Sequence, residues 1–380
     1  MDLICFCHIR WNFVYQRPQH LMSRFSQHNR VFFIEEPVFE TSGQSFIEVN
    51  TDKDNLWIVI PHLLESYTSD EIVFQQRILL SSLYAEYEIK YYMHWFYTPM
   101  ALTISNHLHP QMIIYDCMDE LSNFKFAPVE LKQKEKELFR IADVVFTGGQ
   151  NLFEAKKNDH HNIFPFPSSI DKDHFLQART LTKEPEDQSN LSHPIFGFYG
   201  VIDERFDVEL LREVASRKSK WNFVIIGPVV KIDPATLPQL KNIHYLGNKK
   251  YDQLPAYLSG WDIALIPFLL NDSTKYISPT KTPEYLAAGV PVISSSIVDV
   301  VNPYAANSLV HIADDADEFI NAAEKELATI NKKTWIARVD FFLRNNSWDH
   351  TWSEMMKQIN STIKNKNRLQ LTNKKEQAYV

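Results

Sequence analysis

The segment SPTKTPEYLAAGVPV, from Ser278 to Val292, predicts a helix that leads into a strand. Pro283 suits the first helical position, and Thr282 before it can cap the helix. Gly289 predicts the helix end, because glycine tolerates the left-handed backbone that often closes a helix. The residues that follow, VPVIS, have the β-branched composition of a strand.

Two charged residues at the entrance of this helix indicate an anionic ligand that carries a sugar. Lys281 and Glu284 are three residues apart, so their side chains can lie on the same side of the helix. A lysine there can neutralise a diphosphate, and a carboxylate can accept two hydrogen bonds from the vicinal hydroxyls of a ribose. Alternatively, Glu284 is simply well placed against the helix dipole, which explains the glutamate but not the whole string.

Outward from this segment, short apolar runs alternate with helical patterns, and the alternation occurs twice. Such alternation predicts parallel sheets with crossover helices, and therefore two α/β domains that face each other across a hinge. In the first half we predict strands near Leu3–His8, Arg30–Glu35, Leu56–Ile60, Tyr91–Tyr97, Met112–Asp116 and Val144–Thr147. In the second half we predict them near Ile195–Gly200, Asn222–Gly227, Ile243–Leu246, Ile263–Pro267 and Val290–Ser295.

A polar stretch without an apolar period separates the two halves. We therefore expect a first domain over residues 1–175, a linker over 176–193 and a second domain over 194–345. Residues 346–380 have a helical pattern and finish in a tail rich in lysine and arginine.

The composition of the 380-residue chain excludes several classes of protein. Hydrophobic residues make up 44%, which is enough to bury a core in each domain, so a disordered chain is excluded. The net charge of −8 has the wrong sign for a general nucleic-acid binder, and we expect no nucleic-acid partner. Nine glycines are present, against about 27 at average usage. They form neither GxGxxG nor a P-loop, so the common phosphate-binding motifs are absent from the sequence.

We expect a cytoplasmic protein. The stretch MDLICFCHIRW lacks the apolar core of a signal peptide. The most apolar later stretch, Ile263–Leu270, is about half as long as a bilayer span. Without an export signal, the cysteines Cys5, Cys7 and Cys117 are expected to be free thiols.

The first predicted strand of the second half is followed by a candidate phosphate loop, in the string FGFYGVIDERFD. Gly200 at the strand end lets a ligand approach the backbone, and the helix that starts near Asp207 favours an anion. Arg205 supplies a fork suited to phosphate oxygens. A tight turn with a surface arginine is the alternative.

The whole string K-x-x-E-Y-L-A-A-G-x-P-V resembles the donor-site signature of glycosyltransferases with the GT-B fold. In that fold two Rossmann-like, doubly wound α/β domains enclose a nucleotide-sugar in the crevice between them, and a C-terminal helix crosses back to the first domain. Further segments resemble the family in the order that it requires: HIRWNFVYQRPQHLMSRF, which is similar to the opening of bacterial group 1 enzymes of surface polysaccharide assembly, then Phe166–Phe175, FGFYGVIDERFD, Ile243–Phe268 and NSWDHTW.

The resemblance implies a donor site in the second domain. Its expected residues are Gly200, Arg205, Gly247, Asn248, Lys281, Glu284 and Tyr285. Two positions depart from the pattern of retaining members. Tyr276 stands where they carry a second glutamate, and Val201 stands where they carry an arginine after the loop glycine. Whether the reaction retains or inverts the anomeric configuration therefore stays open.

The catalytic base of an inverting reaction is expected from the facing domain. The string IIYDCMDELSNF places Asp116, Asp119 and Glu120 just beyond a predicted strand. We choose Asp119, because Asp116 suits a role in fixing the strand end. In a retaining reaction Asp119 would contact the donor sugar instead, and an Asx turn is the alternative for both residues.

The acceptor is expected to meet the loop after the first predicted strand. Residues 10–20 contain no glycine and offer aromatic, cationic and amide side chains that suit a sugar or a lipid-linked phosphate. An ordinary loop anchored by its aromatic residues is the alternative. The acceptor-binding candidates are Trp11, Arg17, Gln19 and His20.

We expect no cofactor and no metal. The expected substrate is a nucleoside-diphosphate sugar, with a UDP-sugar as the first choice. Asp52-Lys-Asp54 and Asp171-Lys-Asp173 spell the DxD metal motif of the other glycosyltransferase fold, but they lie in a polar turn and in the segment between the domains. Arg205, Lys281 and helix N-termini can stabilise a leaving diphosphate instead. The basic tail, with Lys364, Lys366, Arg368, Lys374 and Lys375, is a candidate for peripheral contact with anionic lipid at the inner face of the plasma membrane, or is a solvated terminus.

The sequence thus predicts a metal-independent hexosyltransferase that moves a sugar from a nucleoside-diphosphate sugar to a glycan or lipid-linked acceptor in cell-surface polysaccharide synthesis. Two alternatives stay open. One is a nucleotide-sugar epimerase of the same fold, which would need no acceptor. The other is an inactive GT-B scaffold subunit, which the departures at Tyr276 and Val201 suggest.

Overall fold

The computed structural model describes residues 1–329 and 331–377, with side chains up to residue 368. Within this part of the chain the strands form two separate sheets, one in each half of the sequence. The predicted pair of α/β halves is confirmed.

The sheet of the first half is mostly parallel. Its nine strands are β1 (Asp2–Phe6), β2 (Val31–Ile34), β3 (Val38–Glu40), β4 (Phe46–Lys53), β5 (Leu56–Leu64), β6 (Tyr92–Phe96), β7 (Met112–Cys117), β8 (Val144–Thr147) and β9 (Ile163–Pro165), as far as the chain is described. The order is β3-β5-β2-β1-β6-β7-β8-β9, and β4 pairs antiparallel with β5. All six predicted strands are present, whereas β3, β4 and β9 were not predicted.

The sheet of the second half is parallel throughout. Its strands are β10 (Ile195–Tyr199), β11 (Asn222–Ile226), β12 (Ile243–Gly247), β13 (Ile263–Ile266), β14 (Val292–Ser294) and β15 (Val310–Ile312). The spatial order is β12-β11-β10-β13-β14-β15. Counted from its own first strand this order is 3-2-1-4-5-6, the doubly wound arrangement, and the winding reverses between β10 and β13.

Helices cover both faces of the first sheet. Because side chains alternate along a strand, Leu3 and Cys5 of β1 face one apolar core and Ile4 and Phe6 face another. The helices of this half are α1 (Arg17–Phe25), α2 (Ser69–Glu86), α3 (Leu102–Ser105), α4 (Leu131–Ile141) and α5 (Gln150–Lys156). The next helix, α6 (Lys172–Leu176), packs on the second core through Phe175. The helices of the second half are α7 (Val208–Arg217), α8 (Leu254–Leu258), α9 (Lys281–Ala287), α10 (Val298–Val301), α11 (Ala316–Leu327), α12 (Lys333–Phe342) and α13 (Trp348–Gln377).

The last helix returns to the first half, as the GT-B resemblance implies. Trp348, Met355 and Ile359 of α13 are buried in the same core as β1. Arg24 of α1 pairs with Asp349 at 2.8 Å. Within residues 1–329 and 331–377, no helix combines the length and the apolar composition that a bilayer span requires.

The predicted linker packs against the second sheet's domain. Gln188 is fully buried, donates to the Tyr257 carbonyl at 2.9 Å and accepts from the Trp261 indole at 2.9 Å. Ile170 and Phe175, which precede the linker, also lie in the second core. The domain limits at residues 175, 193 and 345 stay predictions.

Hydrogen bonds join the two domains. The Asp299 carboxylate, at the start of α10, accepts from the backbone N–H groups of Gln150 and Asn151 at 2.9 and 3.0 Å. It thereby caps α5 from the opposite domain. Ser168 donates to the Ser278 carbonyl at 2.5 Å.

Candidate active site

A cavity of about 590 Å³ lies between the two domains, at the carboxyl ends of the strands. Gly200 follows β10 and Phe268 lies just beyond β13, so the second domain faces the cavity where its winding reverses. Met118 and Asp119, just beyond β7, face it from the first domain. Ligands of open α/β sheets bind at such a place, which makes the cavity the candidate active site.

The structure brings most of the predicted site residues to this cavity. Those that line it are Trp11, Arg17, Asp119, Gly200, Arg205, Asn248, Lys281 and Glu284. Gln19, His20, Gly247 and Tyr285 are not among the lining residues. Lining a cavity is a condition for binding, and the binding roles themselves stay predictions.

Gly200 and Lys281 are in close contact at the cavity. Gly200 has a φ of +138°, a conformation that side-chain-bearing residues rarely adopt. A Cβ at this position would lie 2.3 Å from Lys281 Cε and 2.7 Å from Nζ. Glycine is therefore needed both for the turn and for the room that the lysine occupies.

The helix that carries Lys281 starts earlier than predicted. It begins at Lys281 with Thr280 as its N-cap residue, so Thr282 lies inside the first turn and its prediction as the cap is wrong. The reason is packing, because Thr282 is fully buried and its hydroxyl finds no hydrogen-bond partner among the described residues. The predicted end is confirmed, since Gly289 follows the C-cap with a φ of +81°.

Lys281 is a half-buried cation without an ion pair in the described part of the chain. Its Nζ lies 5.6 Å from the Phe198 ring and 5.8 Å from the Phe268 ring. Burial and, secondly, repulsion by Arg205 lower the pKa of Lys281, while Glu284 opposes the shift. An anion bound here would offset the cost of keeping this lysine charged.

Arg205 is held in a fixed orientation. Its Nε and Nη2 donate to the two oxygens of Asp203 at 2.9 and 2.7 Å, and its guanidinium lies 5.2 Å from the Phe124 ring of the first domain. Nη1 donates to none of the described residues. That nitrogen therefore stays available for an oxygen of a ligand in the cavity.

Two tyrosines orient Glu284. The Tyr199 hydroxyl donates to Glu284 Oε2 at 2.5 Å, and the Tyr199 backbone N–H donates to the Tyr285 hydroxyl at 3.1 Å. Burial raises the pKa of Glu284, which the Tyr199 hydrogen bond opposes. Oε1 accepts no hydrogen bond from a described residue, so it can receive a ligand hydroxyl. Tyr285 is fully buried and supports Tyr199 from behind.

The loop after β12 contributes a residue that the sequence did not single out. Gly247 has a φ of +67° and is exposed, whereas Asn248 lines the cavity. Tyr251, three residues further on, also lines the cavity and stacks on His174 at 4.5 Å. Its ring contacts Tyr15 of the first domain at 4.8 Å, and its hydroxyl has no partner among described residues. An aromatic residue in the otherwise polar string NKKYDQ was the available signal.

Asp119 has the properties of a proton acceptor. Within the described residues its carboxylate accepts no hydrogen bond. Burial raises the pKa of Asp119 to about 6, against the opposing effects of Arg205 and Arg17. Such a carboxylate is ionised at neutral pH and binds a proton more readily than an ordinary aspartate.

Arg17 is already engaged by the protein. Its guanidinium donates to the Asp116 carboxylate through Nη2 at 2.7 Å and to the Phe166 carbonyl at 2.6 Å, and both members of the ion pair are buried. The pair ties the start of α1 to the end of β7, next to Asp119. Asp116 thus has the strand-end role that was expected of it.

Gln19 and His20 make their contacts inside the protein. The Gln19 side chain accepts from the Gln16 backbone and donates to the Trp11 carbonyl at 3.0 Å, which fixes the loop before α1. The His20 ring stacks on Trp348 of the terminal helix at 4.7 Å, and burial lowers its pKa. These contacts support the interpretation of an internally anchored loop for both residues.

The two DxD strings are placed differently. Asp52 and Lys53 line the cavity at its rim, whereas Asp171 and Asp173 do not. Among the residues that the structure describes, no group of three or more His, Cys, Asp or Glu side chains has a geometry that could hold a metal ion.

Sequence comparison relates the chain to known glycosyltransferases. Residues 193–329 match the family model of group 1 glycosyl transferases. The putative teichuronic acid biosynthesis glycosyltransferase TuaH of Bacillus subtilis strain 168 is 24% identical over 285 residues, which cover 69% of this chain and 70% of TuaH.

Solved structures show the same fold at low sequence identity. The sucrose-phosphate synthase of Thermosynechococcus elongatus has a TM-score of 0.69 at 13% identity, over 95% of this chain and 99% of the synthase. A trehalose-6-phosphate protein of E. coli, solved with UDP-2-fluoro glucose, has a TM-score of 0.67 at 13% identity, over 94% and 98% of the two chains. The family match and the distant homologue TuaH thus relate the chain to group 1 glycosyltransferases, and its doubly wound domains and returning helix have the GT-B fold of these solved structures.

Proposed function

We propose that this protein transfers a sugar from a nucleoside-diphosphate sugar to a glycan or lipid-linked acceptor of a cell-surface polysaccharide. One observation carries the proposal. Lys281, half-buried and without an ion pair among the described residues, lies against Gly200 in the same cavity that Asp119 lines from the facing domain. A cation for a leaving diphosphate and a base for an incoming hydroxyl are the two groups that glycosyl transfer with inversion needs.

The donor is proposed to lie along the second domain. Lys281 and the Nη1 group of Arg205 would hold the diphosphate, and Glu284 would accept from the ribose hydroxyls through Oε1. Asn248, in the loop after β12, would contact the nucleobase. A cavity of about 590 Å³ falls within the usual range for ligands of this size. We propose UDP as the first nucleotide to test.

Catalysis is proposed to need no metal. Charge that develops on the leaving diphosphate would be stabilised by Lys281 and Arg205, which are positioned before the reaction begins. Asp119 would take the proton of the acceptor hydroxyl as the new glycosidic bond forms at the anomeric carbon and the bond to the diphosphate breaks. In a retaining reaction Asp119 would instead contact the donor sugar.

We propose that the acceptor binds on the side of the cavity that the first domain forms. Trp11 lines the cavity from the first domain and suits stacking on a sugar. TuaH is named for teichuronic acid biosynthesis, which supports a cell-surface polysaccharide as the acceptor here. Peripheral membrane contact through the basic tail is also a proposal: Lys366 is engaged by Asp143 at 2.7 Å, and the side chains of Lys374 and Lys375 lie outside those described.

Release of nucleoside diphosphate from a panel of UDP-, GDP- and dTDP-sugars, with and without mixed glycan acceptors, tests the proposal. We expect one donor to give release that depends on acceptor and is lost in Lys281→Ala and Asp119→Asn. Lys220→Ala, an exposed lysine of the second domain, is the control. Conversion of the donor to an epimer without acceptor would contradict transfer, and activity of Lys281→Ala equal to the control would contradict the site.

A further inference from the structure

A second cavity, of about 650 Å³, adjoins the candidate active site. Met118 and Asp119 line the first cavity, whereas Glu120, Ser122 and Asn123 line the second. The two cavities therefore share the segment 118–123 as a wall.

Three cations of α4 line this second cavity in a row. Lys132, Lys136 and Arg140 are exposed and four residues apart, so they lie one helical turn after another on one face. Their side chains form no ion pair or hydrogen bond with any residue that the structure describes. In a chain with a net charge of −8, such a row stands out as a local positive surface.

A further lysine pairs with two of the acidic residues in the cavity wall. Lys156 Nζ lies 2.7 Å from a carboxylate oxygen of Glu120 and 2.7 Å from one of Glu135. One lysine compensates one of these two negative charges, and Asp159 is a third acid in the wall. The lining side chains thus count four cations, the row on α4 and Lys156, against three acids, which leaves the cavity a net charge of +1.

The second domain closes the cavity from the other side. Tyr276 lines it, and the Lys275 ammonium lies 5.2 Å from the Tyr276 ring. Asn123 in the shared wall donates to the Asp272 carbonyl at 2.9 Å. A ligand in this cavity would touch both domains. A concave site of this kind fits a discrete anionic group better than the flat surface of a membrane.

We propose that this second cavity binds an anionic group, a carboxylate or a phosphate, of the acceptor glycan, and so selects charged over neutral acceptors. The inference rests on the proposed function, because it concerns the acceptor of the same reaction. Lys132, Lys136 and Arg140 supply the charge, and the Tyr276 hydroxyl and the Asn123 amide oxygen supply hydrogen-bonding groups for sugar hydroxyls. The acceptor chain would run from Asp119 past residues 120–123.

Binding of fluorescently labelled hexagalacturonate, polyphosphate and neutral maltohexaose, measured by anisotropy at low and high salt, tests this site. We expect at least one of the two anions to bind more tightly than maltohexaose, with an affinity that falls as salt rises. The triple variant Lys132→Ala, Lys136→Ala, Arg140→Ala should weaken binding of that anion about tenfold or more. The matched control replaces Lys183, Lys220 and Lys241, exposed lysines that no ion pair engages among the described residues, by alanine and should bind the anion as wild type does.

The remaining outcomes overturn the inference or leave it supported. If the triple variant loses binding of only one of the two anions, that anion identifies the bound group as a uronate carboxylate or a phosphate. Equal anion affinity of the triple variant and the control contradicts the site. Loss of binding to phosphatidylglycerol vesicles with unchanged affinity for both anions also contradicts it and assigns the row to a membrane. Stabilisation by UDP should be the same in the triple variant and wild type. If UDP stabilises wild type but neither anion binds, this inference alone fails, whereas absence of any nucleotide effect on wild type argues against the proposed function.

Discussion

Replacement of Gly200 by alanine is expected to remove diphosphate binding through Lys281. The new Cβ would come within 2.3 Å of Lys281 Cε and 2.7 Å of Nζ, so the end of the lysine side chain must shift away from the position it holds beside Gly200. A hydrogen bond between a charged group and its partner contributes about 1.5–3 kcal/mol, which corresponds to roughly 10- to 150-fold in affinity. The positive φ of +138° should cost the folded state about 1–3 kcal/mol in addition.

Isothermal titration with UDP and denaturant unfolding separate these two effects. Gly43→Ala is the matched control, because Gly43 also has a positive φ, +108°, and no described atom lies within 4 Å of the place that a Cβ would take there. It should lose stability without losing affinity. In a Lys281→Ala background, Gly200→Ala should not lower the affinity for UDP any further, because the displaced ammonium group is already absent. Full UDP affinity in Gly200→Ala, or additive effects in the double variant, would refute the reasoning.

Asp119 and Arg17 give the other predictions. Asp119→Asn should lower kcat by about 10²- to 10⁴-fold with UDP affinity unchanged, and the wild-type rate should fall as pH drops through about 6, the raised pKa of Asp119; a flat pH–rate profile would argue against Asp119 as the base. This pKa lies above the unfolded value of 3.8, so ionisation of Asp119 destabilises the folded state. The loss of stability grows between pH 3.8 and about 6 and stays constant at higher pH. Asp119→Asn should therefore raise Tm at neutral pH but not near pH 3.8. Arg17→Ala leaves Asp116 buried without a partner and should lower the free energy of unfolding in urea by about 3–5 kcal/mol. The control Arg24→Ala breaks an exposed pair on the same helix and should lower it by about 1 kcal/mol or less. Equal losses would contradict the structural role of Arg17.

The sequence predicted strands well where both faces are buried. The strands β10 and β11 differ from their predicted ranges by one residue, because a buried parallel strand is a continuous apolar run closed by a glycine turn. β4 was missed, since its sequence FIEVNTDK is polar and mostly exposed along an antiparallel edge. Such a strand is stabilised by backbone pairing with β5 rather than by an apolar pattern of its own.

The candidate site divides in the same way between local and distant contacts. Lys281 and Glu284 were predictable, because one helix turn carries both. The Arg17–Asp116 pair joins residues 99 positions apart, and Tyr199 reaches Glu284 across 85 positions. These contacts depend on which strands become neighbours, which a residue pattern does not specify. For this reason Arg17 was expected to meet the acceptor, whereas its guanidinium is held by a buried carboxylate.

The most direct test of the account is the thermal stability of the protein with saturating UDP, GDP or dTDP. At a hundredfold excess over Kd, a bound nucleotide should stabilise wild type by about 2.7 kcal/mol. We expect one nucleotide to give this shift, Lys281→Ala and Glu284→Ala to lose most of it, and Lys220→Ala to keep it. If none of the three nucleotides moves the melting temperature of the wild type, the cavity at Gly200 and Lys281 is not a donor site.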